Sequence, residues 1–359
     1  MGLRALPSML SFRLVYSDRY LLPMGHHVFP SQKYRLVRDR LLELGAAVPW
    51  DFVEPKPAAD EDILLVHTPV YVQKLKTGTL SVREELELEV PYSKLLVEAF
   101  WLMAGGSILA ADLALRDGVC VNLGGGFHHA FPDHGEGFCV VNDIAIAIRK
   151  MQKDGRIKRA MTVDCDVHQG NGTAVIFGGH AEPFPLPAGW SASYTAPPPA
   201  SETMVQGHAG DVFTISLHQL NNYPVWKPAS SMDINLPDGV TDSEYLYWLE
   251  RALISARRLF EPELISYVAG ADPYCRDQLG GLGLTIEGLQ QRDEMVLSFA
   301  RDWGVPVMVT YAGGYAEKLE DTVAIHANTV LAAAKVFTGI GAKARPSQVT
   351  GAQGNKAAD

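Results

Sequence analysis

The chain predicts a single α/β domain built on a mainly parallel sheet, with helices on both faces and the working residues at the C-terminal strand ends. Five short apolar runs recur between helical stretches, at residues 119–123, 160–163, 212–217, 264–269 and 305–311. Strands that are apolar throughout belong to sheets covered on both faces. Four of the runs lead directly into chemistry-bearing residues: His128 and His129 after three glycines, Asp164 to His168, Asp272, and Tyr315 after two glycines. Open α/β sheets bind their ligands at that edge.

Taken in order, residues 12–16 are a short apolar run that predicts a first strand. Ser31 can cap a helix reaching Leu44, with Gly45 just past its end. Ile63, Leu64, Leu65 and Val66 read as a second buried strand, ended by His67-Thr68-Pro69. Residues 81–90 are acidic and read as a solvated face. Ser93 can cap a long helix to about Leu115, in which Gly105-Gly106 predicts close packing. Asp143 is placed to cap a helix over residues 144–151, and Thr241 with Glu244 forms a capping-box pattern before a helix that stops at Pro262. Thr285 opens a helix that ends near Trp303 and Gly304. Residues 181–207 carry six prolines and no helical or strand period, so they read as an irregular insertion. The domain is expected over residues 1–340, followed by a small, polar, frayed tail at 341–359.

Composition narrows the function. The 359 residues are 47% hydrophobic and 20% charged, with a formal net charge of −10. That balance excludes unaided binding to nucleic acid or to an anionic membrane, which need a basic face. It leaves a cationic substrate open. Cys120, Cys139, Cys165 and Cys275 are scattered without C-x-x-C spacing, which indicates neither a disulfide framework nor a cysteine metal site. They read as reduced thiols, and the expected location is cytoplasmic. No apolar run approaches the ~20 residues of a membrane span, and residues 1–11 lack the apolar region of a signal peptide.

The chemistry centres on residues 162–172. Thr162 to His168 alternates polar and apolar residues, which on a strand places Asp164, Asp166 and His168 on one side. Two carboxylates and an imidazole crowd together at low cost only around a positive charge, and a divalent metal is the natural one. His128 and His129, Asp272 and Tyr315 end neighbouring strands and join them. By contrast, His26, His27, His67, His180, His208 and His326 show no partner pattern and read as surface or structural residues. Phe138 and Tyr223 fit either a core or the wall of a substrate channel.

In succession, residues 124–129, then Gly137-Phe138-Cys139 with Asn142-Asp143, then residues 164–172, Gly270-Ala271-Asp272-Pro273 and Gly313-Gly314-Tyr315 resemble the motifs of the histone deacetylase family of zinc amidohydrolases. The resemblance runs from about Val15 to about Lys335. Asp166 to Gly172 and Ala312 to Tyr315 look most like the class IV branch and its bacterial relatives. The resemblance implies the arginase-like fold with one zinc per chain on Asp166, His168 and Asp272. His128 and His129 would be the paired histidines, with Asp164 orienting His128, and Tyr315 the transition-state tyrosine. Asp164, Asp166 and the backbone at His168, Ser216 and Leu217 would hold a structural potassium ion. Gly137 would offer its carbonyl to the substrate amide, with Phe138 and Tyr223 lining an acyl-lysine channel. Asn171 departs from the better-known branches, where an aspartate pairs with the second histidine. The insertion at 181–207 occupies a connection that is usually much shorter.

The expected activity is zinc-dependent removal of an acetyl or longer acyl group from a lysine side chain of a protein. His129 would be the general base and then the acid for the leaving amine, His128 a charge-stabilising partner, and Tyr315 an oxyanion donor freed to swing by Gly313-Gly314. The alternatives are hydrolysis of a small acylated amine such as an acetylpolyamine, and a catalytically weak module that binds acyl-lysine. A two-manganese ureohydrolase would need a second cluster of bridging carboxylates, and the sequence offers none.

Overall fold

A computed structural model describes residues 9–178, the backbone of 201–204, and residues 210–337. The rest of the 181–207 insertion, with His180, His208 and the tail at 341–359, lies outside the described residues. In chain order the elements are β1 (Leu14–Val15), α1 (Lys33–Glu43), β2 (Phe52–Val53), α2 (Asp60–Ile63), α3 (Pro69–Thr77), α4 (Val82–Leu88), α5 (Lys94–Asp117), β3 (Val119–Asn122), α6 (Asp143–Lys153), β4 (Ala160–Asp164), α7 (Asn171–Gly178), β5 (Ser201–Met204), β6 (Val212–Gln219), β7 (Met232–Leu236), α8 (Asp242–Leu259), β8 (Leu264–Val268), α9 (Ile286–Trp303), β9 (Val307–Thr310) and α10 (Leu319–Phe337).

The described strands form one sheet in the order β2-β1-β3-β9-β8-β4-β6-β7-β5. Its pairings are parallel except β5 against β7. Both faces are covered, as the apolar strands require. On β3, Val119 and Val121 enter one core cluster and Cys120 the other; on β9, Val307 and Val309 oppose Met308 in the same way. One face packs Ala110, Ala114, Ile144 and Ile148 of α5 and α6. The other packs Tyr245 and Leu249 of α8, Leu289 and Val296 of α9, and Val330 of α10.

Several local features follow the sequence directly. Ser93 accepts from the Leu96 amide at the start of α5, and Thr241 with Glu244 closes a capping box on α8. The close packing at Gly105-Gly106 is real: a Cβ on Gly105 would collide with the Lys56 carbonyl oxygen, and one on Gly106 with the Tyr20 hydroxyl.

Other expectations are corrected. Ile63 to Val66 is not a strand. Three acidic residues open the single turn of α2, and the Leu64 amide bonds to the Asp60 carbonyl. Ile63 is buried while Leu64 is exposed, so the run is apolar without being a sheet element. Thr68-Pro69 then begins α3 instead of ending a strand, with Thr68 as N-cap and Pro69 in the first turn. Ser31 does not cap α1; its hydroxyl accepts from the Leu22 amide instead. Asn142 caps α6, and Asp143 turns back to the glycine loop. Within the insertion, Ser201–Met204 is a strand paired with β7. α5 also corrects the expectation that no apolar run is long enough to cross a membrane: by length and composition it is, but it is mostly buried inside the protein.

Candidate active site

Strand β4 stops at Asp164, short of the alternation read from the sequence. Beyond it, carboxylates replace the strand ladder as acceptors. Asp164 Oδ1 accepts from the Asp166 amide at 3.1 Å, and Asp166 Oδ1 accepts from the His168 amide at 3.0 Å. This stepped turn keeps the three polar side chains together without a strand. It is braced from below by Arg292 of α9, which is fully buried and donates Nη1 to the carbonyls of Gly270 at 2.6 Å and Cys165 at 3.2 Å. Asp293 pairs with the same guanidinium. Neither residue carried a sequence signal, since each lies within a helix far from any motif.

Asp272 follows β8 and arrives opposite this turn. Ligand atoms of Asp166, His168 and Asp272 all lie within 4.8 Å of one another, and all three residues are buried. His168 Nδ1 stands 3.1 Å from Asp166 Oδ1 and 3.3 Å from Asp272 Oδ2. Asp272 Oδ1 accepts from the Val167 amide at 2.9 Å, whereas its Oδ2 is buried without a hydrogen-bond donor. Burial, reinforced by the nearby Asp166 carboxylate, pushes the Asp272 carboxyl above the usual carboxylate range. An orphaned carboxylate oxygen in a cluster of two carboxylates and one imidazole fits a divalent cation, zinc being well matched to that mixed nitrogen and oxygen set.

The paired histidines flank the cluster. His128 Nδ1 is 2.7 Å from Asp164 Oδ2, and His129 Nδ1 is 2.7 Å from Asn171 Oδ1, with the two ring centroids 4.1 Å apart. Burial disfavours the charged form of both rings. At His128 the carboxylates of Asp164 and Asp166 outweigh it and raise the pKa to about 9. At His129, burial with His128 and His168 beside it holds the pKa well below the usual range. The two rings therefore differ by the groups behind them, a carboxylate for one and an amide for the other.

His129 and His168 face a cavity of about 450 Å³ lined also by Glu89, Gly137, Phe138, Asn222, Tyr223, Leu279 and Tyr315. Phe138 and Tyr223 thus line this cavity. His27 stacks edge-on against Phe138, its ring centroid 4.9 Å away, at the same rim. Tyr315 closes the deep end and is 6% exposed, and burial with the carboxylates around it keeps its hydroxyl protonated. The glycine pair before it lets the backbone approach the cluster closely. The Gly313 amide donates to Asp166 Oδ2 at 2.8 Å, so the chain must pass directly beside the cluster. Asp277 holds the Tyr315 amide at 2.7 Å from the next loop. Ser216 lies in register with Asp164 across β4 and β6, with Leu217 next to it.

Two buried histidines belong to the scaffold. His67 Nδ1 meets the Phe131 carbonyl at 2.9 Å while its Nε2 accepts from the Asn142 amide at 3.0 Å. His326 stacks on Tyr311 with ring centroids 4.2 Å apart. Glu136 is another residue at the site that sequence reading missed. It lies between two glycines ahead of Phe138, and a lone carboxylate in a loop has no pattern to mark it.

The family description of the histone deacetylase domain matches residues 27–331. An uncharacterized protein of Picosynechococcus sp. is 36% identical over 91% of this chain and 100% of its own length. Histone deacetylase 2 of Arabidopsis thaliana is 33% identical, covering 84% of this chain and 74% of the relative. The acetoin utilization protein AcuC of Bacillus subtilis is 28% identical over 84% of this chain and 76% of its own. Among solved structures, an HDAC homolog complexed with SAHA superposes with a TM-score of 0.70 at 22% identity, covering 91% of this chain and 84% of the other. That likeness speaks to the fold.

Proposed function

Since the chain belongs to the histone deacetylase family and is a deacetylase-type hydrolase, we propose that it removes an acetyl or longer acyl group from lysine side chains, with one zinc ion held by Asp166, His168 and Asp272. The observation that carries this reading is the cavity itself. A slot walled by Phe138 and Tyr223 leads to His129, His168 and Tyr315 at its deep end, which suits an extended acylated amine with its amide at the bottom. The bound ion would supply a Lewis acid that polarises the amide carbonyl and acidifies a water.

The chain's own groups supply the rest. Asn171 Oδ1 can only accept, so the His129 proton sits on Nδ1 and the Nε2 lone pair is left to take a proton from the attacking water. The same nitrogen then returns the proton to the leaving amine. His128, charged through Asp164, stabilises negative charge next to it. Tyr315 donates its hydroxyl hydrogen to the developing oxyanion from the opposite side. Gly137, which packs against His129 and Tyr223, would offer its carbonyl to the substrate amide N–H. A structural potassium ion on Asp164, Asp166 and the backbone at His168, Ser216 and Leu217 completes the proposal, supported by the Asp164–Ser216 register.

A second reading, hydrolysis of a small acylated amine such as an acetylpolyamine, is favoured by one observation: the carboxylate residue Glu89 lines the same cavity and would attract a free cationic end. One panel separates the two. Lysine peptides bearing acetyl through long-chain acyl groups are assayed beside acetylated polyamines, before chelation, after it, and after zinc is restored. Peptide turnover that zinc restores supports the first reading. Turnover of polyamines alone selects the second. Inertness toward every acylated amine rejects both.

A further inference from the structure

An aspartate beside an imidazole has no wrong way round. An asparagine does, because a half-turn of its amide exchanges acceptor for donor. With Nδ2 toward His129 Nδ1, the ring would have to carry its proton on Nε2, and the lone pair needed for catalysis would be gone. Something at Asn171 must set the direction.

The geometry points to Glu136 as a positioning residue, the outer member of a relay His129–Asn171–Glu136. Asn171 Nδ2 donates to Glu136 Oε1 at 2.5 Å while Asn171 Oδ1 faces His129 Nδ1 at 2.7 Å. A carboxylate accepts only, so it admits the Asn171 amide one way round and repels the flipped one. The Gly172 amide, donating to Asn171 Oδ1 at 3.0 Å, adds to the same preference. Burial opposes the charge on Glu136, but hydrogen bonds from His134, Asn171 and Tyr223 keep its pKa lowered and the acceptor ionised. The same Oε1 also accepts from the Tyr223 hydroxyl at 2.8 Å. One carboxylate therefore fixes both the polarity of the base and one wall of the slot.

This inference rests on the deacylase reading for its consequence but not for its test. Selective ¹⁵N labelling of histidine reads the His129 tautomer whether or not any substrate is turned over. The wild-type ring should be protonated on Nδ1, and Glu136→Leu should give a tautomer mixture. An unchanged tautomer in Glu136→Leu overturns the relay. An inert wild-type protein with a Glu136-dependent tautomer would reject the deacylase reading and leave the relay standing.

A reciprocal swap gives the kinetic arm and barely changes volume. Asn171→Asp sets two carboxylates against each other and should lower kcat about tenfold or more, as loss of a supporting partner does. Adding Glu136→Gln should recover most of that loss. The new side-chain amide can donate one hydrogen to the carboxylate now at position 171 and the other to the Tyr223 oxygen, so the network reverses its polarity intact. A residue with only a structural role predicts that two substitutions cost at least as much as one. A double variant no more active than Asn171→Asp overturns the relay.

Discussion

A Cβ on Gly313 would collide with Oδ2 of Asp272, the one oxygen of that carboxylate with no hydrogen-bond donor. It would also stand 2.7 Å from Asp166 Oδ2. Any side chain at this position must displace a cluster carboxylate. Gly313→Ala is therefore expected to weaken metal affinity by about 10–100-fold, the usual cost of disturbing the support of a metal ligand. Competition titration against a chromophoric chelator measures it, and wild-type affinity in the variant would remove Gly313 from the metal site.

Tyr315→Phe tests the oxyanion donor. The hydroxyl is held protonated by burial and by the surrounding carboxylates. Its loss should leave metal content unchanged and reduce kcat about a hundredfold or more. If kcat stays within a fewfold of wild type, the hydroxyl takes no part in the chemistry.

His67 predicts an acid limit to stability. Burial lowers its pKa from 6.5 to about 4, although the backbone at Phe131 and Pro132 opposes the shift. The unfolded chain therefore binds more protons than the folded one between those values. Stability supplied by neutral His67 is complete above the unfolded pKa and is lost as pH falls from 6.5 toward about 4. The maximum contribution is about 3 kcal/mol. His67→Gln should flatten this part of the profile, measured by denaturant unfolding at a series of pH values. An unaltered slope would mean that other buried groups, such as His218, govern the acid limb.

The sheet interior was legible because Val119 to Val121 and Leu264 to Val268 are apolar on both faces, and few other structures bury such runs. Asp164, Asp166 and His168 were legible as a group because charge that dense needs compensation, whereas Asp272 was joined to them as a ligand only by the resemblance to the family. The run from Ile63 misled because four apolar residues fit one turn of helix as well as a short strand, and Thr68-Pro69 is a helix start only when the turn before it is known. Strand β2, at one edge of the sheet, and β7, between β6 and β5, escaped notice because Phe52 and Val53 are two half-buried residues and Asp233 interrupts the apolar run of β7. Glu136 and Arg292 act at the site through contacts with residues 35 and 127 positions away, Asn171 and Cys165, and such pairings have no local trace.

The order of the strands also governs when the molecule can assemble during synthesis. β8 and β9 are the last strands made, yet they sit between β3 and β4. Until they emerge from the ribosome, β3 and β4 each present an unpaired inner edge, and Asp166 and His168 wait for Asp272. From Asp164 at the end of β4 to Thr310 at the end of β9 is 310 − 164 = 146 residues, roughly 7–30 s of translation at about 5–20 residues per second. For that interval the nascent chain carries two apolar edges open to other chains, and Asp272, the last of the three residues proposed to hold the metal, is made only after β8.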